Sequence, residues 1–292
     1  MPLFFVLLLA ASLFFGVGVA KASTNCENNT DCIEVGRWDI GLALGYGMKS
    51  NPLKDFDDIP IYAVPTLAYY GESWFFDNGN IGYTLAEGEN FTINLITTFS
   101  NDSAFFHRWD PSNIFLLSGD NTQSAIAPMA STMKAFDTPD ERAIGELKNR
   151  NFTYLGGAEA FIYTRFGIVH ASLAHDILDV HGGFESRLKW FYNIPLDRWN
   201  FEFAAVLDWK SEEVVDYYYG VRPSESFYWS QAYQAESALN KSIEFTGQYV
   251  LTKNWNLLLV ARYTDIADEI AESPLLDKGY TTTYFVSAAY RF

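Results

Sequence analysis

Apolar and polar residues alternate with a period of two along most of this chain, the mark of half-buried strands rather than helices. In RWDIGLALGYG, Trp38, Ile40, Leu42, Leu44 and Tyr46 share one face, while Asp39, Gly41, Ala43 and Gly45 share the other. KSIEFTGQYVL sets Ile243, Phe245, Gly247, Tyr249 and Leu251 against Ser242, Glu244, Thr246 and Gln248. The scheme recurs with Trp255, Leu257 and Leu259 against Asn256 and Arg262, and with Phe184, Leu188, Trp190 and Tyr192 against Glu185, Arg187 and Lys189. It recurs again with Phe201, Phe203, Leu207 and Trp209 against Glu202 and Asp208. The pattern predicts twelve strands, near 37–47, 60–70, 73–78, 79–86, 90–99, 152–164, 166–176, 183–194, 199–210, 240–251, 254–264 and 279–292. The pair 73–78 and 79–86 also reads as one bent strand.

Two features separate a membrane barrel from a soluble sandwich. Aromatic residues sit near both ends of the apolar faces, as interfacial girdles do, and the opposite faces carry charge of both signs. A sandwich instead buries its apolar faces against each other and shows charge to water. The connections alternate as well. Gly71-Glu72, 87–89, Arg165, 195–198 and 252–253 are short, whereas on the other side 48–59, 100–151, 211–239 and 265–278 are long and two connections, near Asn78 and near Val180, are shorter. Short turns on one side and long loops on the other match outer-membrane barrels, with the long loops extracellular and both ends of an even-stranded sheet periplasmic. The expected fold is therefore all-β: a closed antiparallel transmembrane barrel of about twelve strands over residues 37–292. Its last strand ends on YFVSAAYRF. Tyr284, Val286, Ala288, Tyr290 and Phe292 would face acyl chains, and pairing with the first strand would leave no open edge in lipid. The alternating apolar residues and terminal Phe resemble the signal that outer-membrane proteins present to the barrel assembly machinery, carried here by Tyr284, Val286, Tyr290 and Phe292.

Composition sharpens this reading. The run Leu3–Ala20 is almost wholly apolar, and Ala20-Lys21-Ala22 forms an A-x-A site, so residues 1–22 read as a secretory signal peptide, with an uncleaved anchor helix as the rival. What remains holds 19 basic and 36 acidic residues, a formal charge of −17. That excludes a nucleic-acid partner, which needs a basic patch. The aromatic content of 17%, with 24 Phe, 18 Tyr and 8 Trp, suits a barrel with girdles. Cys26 and Cys32 fall in a periplasmic segment, 23–36, where export favours a disulfide between them and two free thiols are the alternative. Two thiols with no nearby histidine do not make a metal site, and no cofactor motif is present.

Several ordered motifs resemble the MipA/OmpV family of MltA-interacting outer-membrane proteins. DYYYGVRPSES carries a Tyr-x-Gly-Val element at Tyr218, Gly220 and Val221. QYVLTKNW carries a Tyr-x-Leu-Thr-x-x-Trp hairpin with Tyr249 and Trp255. Ser273-Pro274 and the closing Tyr290 and Phe292 follow, and HDILDVHGG supplies Asp176, His181 and Gly182. The resemblance implies an outer-membrane location in a Gram-negative bacterium. It implies a non-enzymatic scaffold that joins a lytic transglycosylase to a penicillin-binding protein in peptidoglycan assembly. A narrow diffusion channel for small solutes is the second function class.

A third class, a lipid-modifying enzyme, rests on VHASLAHD, where His170, Ser172 and Asp176 share a polar strand face. A base must reach the hydroxyl and be oriented by a third group. That face points to the lumen, away from lipid, and Leu173 follows the serine, so filling of the lumen is expected instead. Lumenal Glu185, Arg187, Lys189, Glu202, Asp208, Glu244, Arg262 and Arg291 either line a pore or pair into a plug, twelve strands lying between filled and open barrels. Tyr217, Tyr218, Tyr219, Tyr228, Trp229 and Tyr233 form either a recognition surface or loop packing. The loop 100–151, with Asp137, Asp140 and Glu141, either folds over the mouth or meets lipopolysaccharide.

Overall fold

A computed structural model describes residues 35–107, 110, 113, 144 and 147–292. Twelve antiparallel strands close into one barrel. They are β1 (Trp38–Lys49), β2 (Ile59–Tyr70), β3 (Trp74–Asp77), β4 (Asn80–Glu87), β5 (Phe91–Phe99) and β6 (Tyr154–Thr164). β7 (Gly167–Asp176), β8 (Phe184–Leu196), β9 (Trp199–Lys210), β10 (Ala238–Val250), β11 (Trp255–Asp265) and β12 (Tyr280–Arg291) complete it. The strand at 73–86 is two strands, because Asn78 (φ 49°) and Gly79 (φ 93°) make a tight turn. The signal peptide, Cys26 with Cys32, and Asp137, Asp140 and Glu141 lie outside the described residues.

Neighbouring strands follow one another in sequence all the way round, and β12 pairs with β1 from Lys49↔Thr283 to Gly41↔Arg291. The final residue continues this seam, the Phe292 amide donating to the Ile40 carbonyl at 2.9 Å. Gly47 makes the seam possible. A Cβ there would overlap the Tyr284 carbonyl oxygen and press on Phe285. Gly47→Val is expected to block closure, seen as loss of the compact, heat-modifiable band on unboiled gels.

Outward faces are apolar, and Val286 is 57% exposed on the surface that lipid would cover. Among the described residues no helix is long and apolar enough to cross a membrane. Two aromatic belts bound the apolar band. At the short-turn end Trp38, Tyr69 and Trp74 pack ring against ring in series, as do Trp255, Tyr290 and Phe292. At the long-loop end Tyr46 touches Tyr62 and Tyr284, and Tyr263 stacks on Tyr280.

Inside, the barrel divides. Ala43, Ile61, Val64, Leu258, Val260, Phe285 and Ala289 form a buried apolar cluster on β1, β2, β11 and β12. Most charged lumenal residues lie on β8–β11, with Asp39 and Lys49 on β1, Glu159 on β6 and Arg291 on β12.

Candidate functional site

The four long connections meet over one mouth of the barrel. They contribute four short helices: α1 (Ser103–Phe106), α2 (Glu212–Tyr219), α3 (Trp229–Ala232) and α4 (Asp268–Ala271). Leu53, Val214, Val215, Tyr218, Tyr219, Ile266, Ile270, Leu275 and Leu276 form a second buried core there, against which Phe105, Phe106, Ile144 and Leu147 pack. This cap is built around a charged pair. Arg150 donates to both carboxylate oxygens of Glu225, at 2.7 and 3.0 Å, and to the Gly220 carbonyl at 2.8 Å. Both side chains are 0% exposed. Glu225 also accepts from the amides of Lys148 and Arg222. Burial alone would raise its pKa, but the bonds from Arg150 and those two amides outweigh burial and hold the carboxyl below its ordinary value.

The family-motif residues fall into three places. Tyr218, Gly220, Val221, Ser273 and Pro274 interlock within the cap. Ser273 Oγ donates to the Tyr219 carbonyl at 2.6 Å, and a Cβ on Gly220 would overlap Asp216, whose carbonyl takes the Gly220 amide at the end of α2. Asp176, His181 and Gly182 build the β7–β8 turn. The Asp176 carboxylate accepts from Thr153 Oγ1 and from the amides of Leu178, Val180, His181 and Gly182, at 2.5–3.1 Å. Gly182, with φ at 64°, allows the turn to curl back. His181 Nδ1 accepts the Gly183 amide at 2.9 Å, so the neutral ring carries its proton on Nε2. Burial lowers the His181 pKa, with Asp176 opposing it. Tyr249 and Trp255 stand at the opposite end. Tyr249 packs on Trp199 and Trp255 on Tyr290, while Thr252 Oγ1 accepts the Trp255 amide and tightens the hairpin.

Below the cap, the lumenal charges are paired. Arg187 meets Asp208 at 2.6 Å, Lys189 lies between Glu202 and Glu244 at 3.5 and 3.4 Å, and Arg262 bonds Glu244. At the mouth, Lys210 binds Asp102 and approaches Glu185, and Tyr219 donates to Asp102 at 2.7 Å. Lys49 donates to Asn113 at 3.1 Å and lies over the Phe105 ring. The described part of the 100–151 connection therefore folds into the mouth. Arg291 pairs with Asp39 at the other rim.

His170 faces the lumen. Its Nε2 lies 3.0 Å from Glu159, and its ring stacks on Phe161. Ser172 sits opposite Glu159 and Arg187 in register, and Leu173 points outward. The histidine is thus committed to a lumenal polar network with Glu159 and Asn94. The tyrosines of 211–239 divide: Tyr218 and Tyr219 are buried in the cap, while Phe227 beside Tyr228 is 75% exposed. Sequence reasoning missed Asp102, Arg150 and Glu225, whose partners lie far away along the chain.

A closed twelve-stranded sheet with lipid-facing apolar sides and two aromatic belts defines an outer-membrane β-barrel. The profile described as MltA-interacting protein MipA matches residues 40–292, and the chain belongs to that family. It is 26% identical over 254 residues to the MltA-interacting protein of Escherichia coli K12, covering 87% of this chain and 90% of that one. It is 23% identical over 286 residues to outer membrane protein OmpV of Vibrio cholerae, with 98% of each covered. Among solved structures, an outer membrane channel from Pseudomonas putida F1 aligns with a TM-score of 0.36 at 8% identity, covering 91% of this chain and 98% of that one. The protein is an outer-membrane protein.

Proposed function

We propose that this barrel is a membrane-embedded scaffold that holds a lytic transglycosylase, together with a penicillin-binding protein, at the periplasmic face of the outer membrane. In this reading the protein performs no chemistry itself. The capped mouth and ion-paired lumen carry the proposal. A barrel plugged by its own loops and by the Arg187–Asp208 and Lys189–Glu244 pairs is suited to presenting a surface rather than passing solutes. A relative at 26% identity bears the name MltA-interacting protein, which supports the same partner class. The long loops face the outside and the short turns the periplasm. The partner surface is then the short-turn rim, with exposed Arg165, Phe166, Arg198 and Lys253, extended by residues 23–36. The extension matters, because a stable interface buries roughly 800 Å² on each partner.

In-cell crosslinking followed by affinity purification from the envelope tests the scaffold. Recovery of a lytic transglycosylase or penicillin-binding protein, lost on deletion of 23–36, is the expected result. Recovery of assembly factors and lipopolysaccharide alone, with discrete conductance in planar bilayers, would replace the scaffold by a narrow channel.

A further inference from the structure

His181 is a buried ring with an unused proton. Its side chain, in the β7–β8 turn at the long-loop end, is 0% exposed. Nδ1 accepts the Gly183 amide at 2.9 Å, which leaves the proton of the neutral ring on Nε2. Among the described residues that Nε2 has no acceptor. Buried donors are nearly always paired, so one left this way calls for a reason. Tyr217 and Tyr218 of α2 close the ring in, with centroids at 6.0 and 5.9 Å, the second meeting it edge on.

The turn is fastened to the cap beside that ring. Gly183 lies hard against the start of α2, where a Cβ would come within 2.7 Å of Ser211 Oγ and of a Val214 methyl. Phe184 exchanges two bonds with Ser211 at 3.0 Å, its amide donating to Oγ and its carbonyl accepting the Ser211 amide. Ser211 in turn opens α2, its carbonyl accepting the amides of Val214 and Val215. Both valines are 0% exposed in the cap core. A single titratable nitrogen thus holds the amide of the residue on which α2 rests.

A second proton has no place in this arrangement. It would go to Nδ1, facing the Gly183 amide, and set two donors against each other. Asp176 lies 3.8 Å from Nδ1, but its carboxylate already accepts from Thr153 and four amides. The other charged and titratable groups around the ring are Asp102 ahead of α1, Lys210 at the end of β9, His175 on β7 and Glu213 on α2. Asp102 and Lys210 bind each other, so their opposite effects on the ring largely cancel. Burial is the leading influence and holds the ring below its ordinary pKa of 6.5, against the pull of Asp176.

We propose that His181 is a proton-operated latch: its neutral ring holds the β7–β8 turn against α2, and its protonation in mild acid frees the turn and loosens the cap. The freed turn binds the proton more readily than the latched one, because the folded pKa lies below the ordinary value. The latch is at full strength above 6.5 and weakens as the pH falls through the lower folded value. With the long-loop end outside, in the orientation proposed above, it answers to acid in the surroundings. Purified protein reports on the latch whichever way the barrel faces.

Amide exchange of the detergent-purified barrel at about pH 7.5 and about pH 5.5 tests the latch, each rate being divided by that of the unstructured peptide at the same pH. The range stays above 4.5, so Glu225 remains ionised throughout. Protection at Gly183, Val214 and Val215 should fall roughly tenfold in acid, while strand amides keep theirs. In His181→Asn, whose Oδ1 can accept the Gly183 amide without titrating, protection should be the same at both pH values. Equal protection at the two pH values in wild type, an equal fall in His181→Asn, or a fall confined to Gly183 overturns the proposal. Should His181→Asn fail to assemble, nitrogen-15 NMR of the wild-type histidine rings decides. The His181 ring should carry its proton on Nε2 at neutral pH and titrate below 6.5, over the same range in which Val214 loses protection. A midpoint at or above 6.5, or protection lost in a different range, overturns the proposal.

Discussion

Glu225→Ala is expected to loosen the cap while leaving the barrel assembled. The substitution strands the Arg150 guanidinium, 0% exposed, with carbonyl oxygens as its remaining partners. Breaking a buried ion pair from one side costs about 3–5 kcal/mol, because a charge remains without its counter-charge. The effect should fall on the cap, since the hydrogen bonds of Arg150 and Glu225 join the 100–151 and 211–239 connections. Hydrogen exchange should rise across α2, and protease should cut near Arg222 in folded, heat-modifiable protein. Replacing both partners by apolar residues should recover part of the loss. Equal exchange in wild type and Glu225→Ala would show that the pair does not hold the cap. The pair also predicts a pH response. The folded carboxyl lies below its ordinary value of 4.5, so the unfolded cap binds the proton more readily. Its contribution is present above that value and is lost as the pH falls through the lower folded pKa. Cap exchange should therefore accelerate in acid in wild type and much less in Glu225→Ala.

Asp176→Ala should have the second large effect, at a different place. One carboxylate serves four backbone amides and the Thr153 hydroxyl. A buried donor without a partner costs about 1–3 kcal/mol, and water reaching part of the turn reduces the sum. A net loss of roughly 3 kcal/mol is expected, read as a lower urea midpoint and as fast exchange at Leu178, Val180, His181 and Gly182. Asp176→Asn keeps one acceptor oxygen and should fall between the two. If the alanine variant exchanges slowly at these four amides, the carboxylate is not what shapes the turn.

The strands were legible because their signal is local. Alternation at Trp38–Tyr46 or Phe201–Trp209 needs only neighbouring residues to be read, and these segments became β1 and β9. The β3–β4 turn was less legible, since 73–86 also reads as one bent strand, although Asn78-Gly79 is a two-residue hairpin sequence. The cap was not legible, because its contacts are distant: Arg150 and Glu225 are 75 residues apart, and Lys210 and Asp102 are 108. EEVVDYYY is also too short for helical periodicity to separate from loop, so α2 stayed hidden. The lumenal charges were read as facing inward, but pore and plug differ only in which pairs form, and register across several strands decides that.

The shared core of the cap also governs where the protein tolerates foreign sequence. Loop tips usually accept inserted peptides because nothing packs on them. Here Leu53, Tyr219, Ile266 and Leu275 come from three different connections, so an epitope spliced beside any of them would disturb the other two. The Phe227–Tyr228 tip, where Phe227 stands clear of the core, is the natural place for a displayed tag.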